Sequence, residues 1–221
     1  MPVWRHISQT TLPMKKLLLS VAALMIAGLS FGQVKFGIVA GPQFSSYTTK
    51  ANGQSKETSK LLTSVRAGIT VDLPLADEFY IGTGLLYSGK GGQDKAGSNI
   101  SFKSRLSYLQ LPINFLFKPE VGSGNLVLGV GPYIAYGLGG KHEGNFAGLV
   151  NVERKAFDDE AGAAKLKRFD AGAGLVVGYE LKGGLNFGLN ADLGLVNAYD
   201  NTDNGRRWKN TSFGVSVGYK F

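Results

Sequence analysis

The chain has no cysteine, only two tryptophans and only two histidines, His6 and His142. Without cysteine there are no disulfides, no thiol nucleophile and no cysteine-based metal site, so stability must come from backbone pairing and packing. One histidine beyond the first few residues leaves little material for a histidine metal centre or for acid–base chemistry. Long apolar runs are scarce too. Mean hydropathy sits at the balance point between polar and apolar, whereas a bundle of membrane helices needs stretches of about 20 apolar residues. Acidic residues are the minority, 16 against 24 Lys and Arg, for a formal net charge of +8. A basic surplus can signal nucleic acid, but no basic cluster interleaved with aromatics stands out.

What is present begins with a targeting pattern. Lys15-Lys16 precede the apolar residues 17–28, and small residues Ser30 and Gly32 follow at alternate positions. That order of basic, apolar and small residues predicts a secretory signal peptide over 14–32, cleaved before Gln33. Residues 1–13 are expected to be an upstream extension, with Met14 the working initiator. The domain proper is then 33–221. Export makes nucleic acid an improbable partner and favours anionic lipid headgroups or polysaccharide.

Past Gln33 the pattern has period two. On one side of the last segment lie Phe213, Val215, Val217, Tyr219 and Phe221; on the other lie Ser212, Gly214, Ser216, Gly218 and Lys220. Successive strand residues face opposite ways, so this is a strand with one apolar and one small or polar face. The same alternation predicts eight strands, over 34–45, 61–75, 79–89, 100–117, 125–139, 166–181, 185–198 and 211–221. Connections alternate short and long, which fits short turns at one end of a barrel and longer loops at the other.

Side-chain size decides which face looks inward. The faces that carry charge are rich in glycine, among them Gly37, Gly41, Gly68, Gly82, Gly84, Gly129, Gly131, Gly172 and Gly214. Glycine weakens a strand and serves no purpose on a solvated face. The interior of a narrow barrel, which side chains just fill, needs it. The expected fold is therefore all-β, a transmembrane antiparallel up-and-down barrel of eight strands, apolar outside and polar inside. Arg66, Asp72, Asp170, Glu180, Asp192 and Lys220 are expected to share the lumen as a paired network, since unpaired charges there are costly. Phe79, Tyr80, Phe117, Tyr179, Tyr219 and Phe221 read as an aromatic girdle on the periplasmic side.

Candidate chemistry is thin. Gly82-Thr83-Gly84 and Gly172-Ala173-Gly174 lie inside strands and lack the strand-to-helix turn of a dinucleotide fingerprint. His142, beside Glu143 in the third long loop, is placed like a rim-enzyme residue, but a lone loop histidine reads as solvated. Asp158-Asp159-Glu160 lacks the ligand spacing of a calcium loop and reads as solvated charge. Arg206-Arg207-Trp208-Lys209 combines cations with an aromatic and reads as contact with outer headgroups, Trp208 serving as interfacial anchor. No catalytic, cofactor or metal site is expected. Eight strands also enclose too little room for an aqueous channel.

The terminal strand ending on Phe221 resembles the closing strand of bacterial outer-membrane barrels, which the insertion machinery reads. Segments 35–41, 82–92, 108–114, 131–133 and 214–221 together resemble the PorT-type outer-membrane β-barrel family of Bacteroidetes. The more specific blocks are Leu86-Tyr87-Ser88-Gly89-Lys90-Gly91 and Tyr108-Leu109-Gln110-Leu111-Pro112. The resemblance implies a small barrel in the outer membrane, with outer-membrane lipid and lipopolysaccharide as neighbours and the barrel-assembly machinery as partner during insertion. One member of that family is tied to secretion and gliding, and no catalytic motif carries over. The expected protein is a non-enzymatic monomer with a plugged polar lumen, acting in envelope integrity or adhesion through its external loops. An accessory role in a secretion or gliding apparatus, a narrow transport pore and a rim enzyme stand as alternatives.

Overall fold

The computed structural model describes residues 34–96, 100–146 and 150–221. The expected signal peptide over 14–32 and the extension before it lie outside the described residues. Eight long strands follow one another: β1 (Lys35–Lys50), β3 (Leu62–Ala76), β4 (Phe79–Ala96), β5 (Ile100–Phe117), β7 (Gly124–Phe146), β9 (Phe169–Leu181), β10 (Leu185–Gly194) and β11 (Arg207–Lys220). Three short strands, β2 (Glu57–Thr58), β6 (Glu120–Val121) and β8 (Val150–Lys155), extend the edges of β1 and β7. Each long strand pairs antiparallel with its sequence neighbour, and β11 returns to pair with β1 from Gly37↔Lys220 to Lys50↔Arg207. The sheet is thus a closed barrel of eight staves, and closure satisfies the backbone groups that an edge would leave open.

The outward face of every stave is apolar. Ile69 and Val130 are each 57% exposed, Leu189 59% and Val215 51%. A continuous belt of this size has no place in water; it is the surface of a protein that sits in hydrocarbon. Among the described residues no helix is long and apolar enough to cross a membrane.

Turns at the end holding both barrel termini are tight. Gly122 (φ 61°) and Gly184 (φ 88°) take the left-handed conformation that glycine adopts without strain, and Glu78 (φ 66°) does the same between β3 and β4. At the opposite end the strands outrun the apolar belt. On β7 the outward apolar series ends at Leu138, yet pairing with β5 continues to Phe146. The alternating pattern predicted ends at 45, 89 and 139 for β1, β4 and β7, whereas the ladders reach Lys50, Ala96 and Phe146. Above the belt outward positions turn polar, so the alternation fades while the hydrogen bonds carry on. Much of what reads as long loop is therefore a raised β rim.

Candidate functional site

Inward positions stack in tiers from the tight-turn end upward. In the lowest tier Lys118 Nζ donates to Asp72 Oδ2 and to Glu180 Oε2, both at 2.6 Å. Lys220 Nζ lies 2.9 Å from Asp72 Oδ1, and Lys35 Nζ donates to Glu180 Oε1 at 2.9 Å. Strands β1, β3, β9 and β11 and the β5–β6 junction are thereby tied across the lumen. The middle tier is Arg66 Nη1 donating to Asp192 Oδ2 at 2.7 Å, with Gln110 Nε2 on the same oxygen at 3.1 Å. In the third, Asp170 Oδ2 accepts from Lys90 Nζ at 3.0 Å and from Asn210 Nδ2 at 3.3 Å. The Lys90 ammonium also lies 4.1 Å from the centre of the Tyr133 ring, a cation–π contact in a dry site.

Above these tiers the lumen is filled by an apolar cap of Tyr47, Leu106, Phe157, Leu166, Tyr199 and Trp208. The Tyr47 and Trp208 rings stack at 3.7 Å between centroids, Tyr199 meets Trp208 edge-on at 5.6 Å, and Phe157 meets Tyr108 edge-on at 5.7 Å. Phe157 and Leu166 belong to the segment after β8, which folds back over the mouth. Between the lowest and middle tiers remains a cavity of about 130 Å³, walled by Leu86, Leu116, Val176, Asn114 and Asn190.

The sequence pattern of the family described as "Outer membrane protein beta-barrel domain" matches residues 27–200, most of the chain. The chain belongs to that family. The outer-membrane barrel is also similar in solved structures to Ail, the attachment invasion locus protein of Yersinia pestis, at TM-score 0.42 and 10% identity over 85% of this chain and 98% of that one. OprG from Pseudomonas aeruginosa is similar at TM-score 0.46 and 14% identity over 85% and 95%. The outer membrane enzyme PagL is similar at TM-score 0.43 and 15% identity over 80% and 98%. No curated protein sequence matches the barrel. Its place is the outer membrane, the tight turns and both barrel termini on the periplasmic side and the raised rim outside.

All six predicted lumen residues of this outer-membrane barrel point inward, and each joins an ion pair. Lys90 and Lys118 were missed, because they lie one residue beyond the ends predicted for β4 and β5. Parity could have found them: Lys90 continues the inward series Gly82, Gly84, Leu86, Ser88, and Lys118 continues Gln110, Asn114, Leu116. Tyr80 is also inward, 5.3 Å from the Lys118 ammonium over its ring, and so leaves the outward girdle.

The headgroup reading of Arg206, Arg207, Trp208 and Lys209 needs correction at two positions. Trp208 is 5% exposed and its Nε1 donates to Asn210 Oδ1 at 3.0 Å, so it caps the lumen and does not reach the interface. Arg206 lies over the Tyr199 ring at 4.4 Å. Arg207 and Lys209, on the other parity of β11, do face outward.

His142 is not a solvated loop residue. It lies on the rim extension of β7 with its ring 6.1 Å from that of Trp208. Nε2 donates to the Ala164 carbonyl at 3.2 Å, which leaves Nδ1 to accept from Ser104 Oγ at 2.9 Å. Burial pushes its pKa below the ordinary histidine value. Asp158 pairs with Arg168 at 3.0 Å and Asp159 with Lys165 at 2.7 Å, and the Lys165 ammonium holds the Asp159 carboxyl below its usual range. Their charge is neutralised by neighbours. Among the described residues no group of three or more His, Asp or Glu is arranged to hold a metal ion.

Proposed function

We propose that this outer-membrane barrel is a non-enzymatic, non-conducting protein that acts through its external rim in envelope integrity or surface adhesion. The observation that carries the reading is the filled lumen: an apolar cap over ion-paired tiers leaves the outward and upward faces of the rim as the parts that can meet another molecule. Ser104 and His142 make a hydroxyl–imidazole contact, but Ser104 is buried among the cap side chains and the cavity lies far below it. A hydrolase needs its nucleophile where substrate can reach it.

Exchange of the external segments 51–61 and 195–206 into another eight-stranded barrel tests the reading. Binding to cells, polysaccharide or an envelope partner should travel with the segments. Binding that stays with the original staves would overturn it. Altered lipid or peptide processing on Ser104→Ala or His142→Ala would overturn the non-enzymatic part.

A second reading rests on the PorT-type blocks. The two specific ones lie on paired staves, with Leu86↔Gln110, Tyr87↔Leu109 and Ser88↔Tyr108 directly opposite. An accessory role in secretion or gliding predicts co-purification with envelope machinery and a secretion defect on deletion. Absence of both would remove it.

A further inference from the structure

The β1–β11 seam carries three outward cations that the fold leaves unneutralised. Its outward rungs run upward as Phe44↔Phe213, Ser46↔Thr211, Thr48↔Lys209 and Lys50↔Arg207. The Phe44 and Phe213 rings contact at 5.4 Å and top the apolar belt here. One small polar rung follows, and the cations come next, about 7 Å of strand per rung. Lys50 and Arg207 stand directly opposite, where side chains are about 5 Å apart at Cβ and like charges repel. Among the described residues, none of Lys50, Arg207 and Lys209 is in an ion pair or a side-chain hydrogen bond.

Elsewhere on the rim some outward cations do have acidic partners. On the β5–β7–β8 face Arg105 pairs with Glu143, and Lys141 with Glu153 at 2.6 Å. Cross-strand carboxylates would have served the seam equally well, yet Thr48, Ser46 and Thr211 occupy its neighbouring outward positions.

We infer that the β1–β11 seam binds the phosphate of a glycolipid in the outer leaflet, with the acyl chains along Phe44 and Phe213. The height fits, because the cations begin where the hydrocarbon belt ends. The chemistry fits, because Arg207 offers a planar fork for two phosphate oxygens while Lys50 and Lys209 add point charges. An anion between Lys50 and Arg207 removes the repulsion across the rung. Trp208 locks the parity: its ring is held in the cap, so its two neighbours on β11 must face lipid. The inference needs only the outer-membrane location and is independent of what the external segments bind.

Native mass spectrometry of the full barrel, released from vesicles containing bisphosphorylated or fully dephosphorylated lipid A, reads the retained lipid directly. Wild type should retain the phosphorylated form about tenfold or more over the dephosphorylated form, since each cation near an anionic surface contributes independently. Lys50→Gln/Arg207→Gln/Lys209→Gln should lose that preference, and Lys141→Gln should keep it. Arg207→Gln alone should lose part of it, which covers failure of the triple variant to show a folded gel shift. Unchanged retention by the triple and single variants would overturn the inference. So would equal loss in Lys141→Gln, which would mean diffuse charge, or full displacement of the lipid by millimolar inorganic phosphate, which would mean a free-anion site.

Discussion

Lys118 shows what one residue contributes when four others depend on it. Its ammonium bridges Asp72 and Glu180, and these in turn hold Lys220 and Lys35. Removing one partner of a buried pair strands the others without water, at a cost of about 3–5 kcal/mol, whereas removing both is often close to neutral. Lys118→Met should therefore lower barrel stability by about that amount in urea unfolding followed by heat-modifiable gel mobility. Lys90 and Asp170 are a simpler pair, each 1% exposed. Lys90→Met should cost a similar amount, and Lys90→Met with Asp170→Leu should recover most of it. A double variant as unstable as the single would mean that Asp170 is held by Asn210 and Tyr133 and not by the ion pair. The sequence offered four lumen carboxylates against two cations, Arg66 and Lys220. That imbalance was itself a sign that cations were hidden just past the predicted strand ends.

At the scale of the strand, most of the architecture was written in parity. Residues such as Leu185, Phe187, Leu189 and Leu193 alternate with Asn186, Gly188, Asn190 and Asp192 because one side meets lipid and the other a crowded lumen. The reading failed where lipid ends. Above the belt outward side chains become polar, so Lys50, Lys141 and Arg207 look like loop although their ladders continue. Trp208 was misplaced for the same reason: an aromatic among cations suggests an interface until the strand is extended back to Arg207, when parity turns it inward. Glycine use was read correctly in direction but with one cause where there are two. At Gly82 and Gly129 an added Cβ would come within 2.5 Å of Leu116, which fills the lumen between them, whereas at Gly41 it would strike the Val215 carbonyl of the adjacent stave. Gly82→Ala should cost about 1–3 kcal/mol through overpacking, and Leu116→Ala in the same chain should remove that increment. Gly41→Ala has no side chain to relieve it.

The segment that folds over the mouth has a titratable tether. Burial holds His142 below its ordinary value of 6.5, so the folded chain keeps it neutral where the unfolded chain takes up a proton. The stability its seat contributes is complete above pH 6.5 and is lost as pH falls toward the folded-state value. Protonation also places a second N–H against the Ser104 hydroxyl that now donates to Nδ1. Hydrogen-exchange protection across residues 156–166, taken relative to the intrinsic amide exchange rate at each pH, should be lower at pH 5 than at pH 7.5, and His142→Gln should flatten the difference. The nearby Asp159 carboxyl, held low by Lys165, titrates below this window.

For the molecule as a whole, closure and filling act together. The β1–β11 ladder leaves no edge, and eight staves surround a space that side chains just occupy. Barriers to flow stand in series: the aromatic cap, then Lys90–Asp170, then Arg66–Asp192 with Gln110, then the Lys118 cluster. In such an arrangement no single layer is the gate. Phe157→Ala with Trp208→Ala should thin the cap and lower stability, by about 3 kcal/mol or more for each buried aromatic. It should still show no steady conductance in planar bilayers, because the ion-paired tiers beneath are intact. A steady open channel in that variant, with the folded gel shift retained, would mean that the cap alone closes the barrel and that the tiers admit water and ions. Wild-type silence with an equally silent cap variant is the pattern that a filled lumen requires.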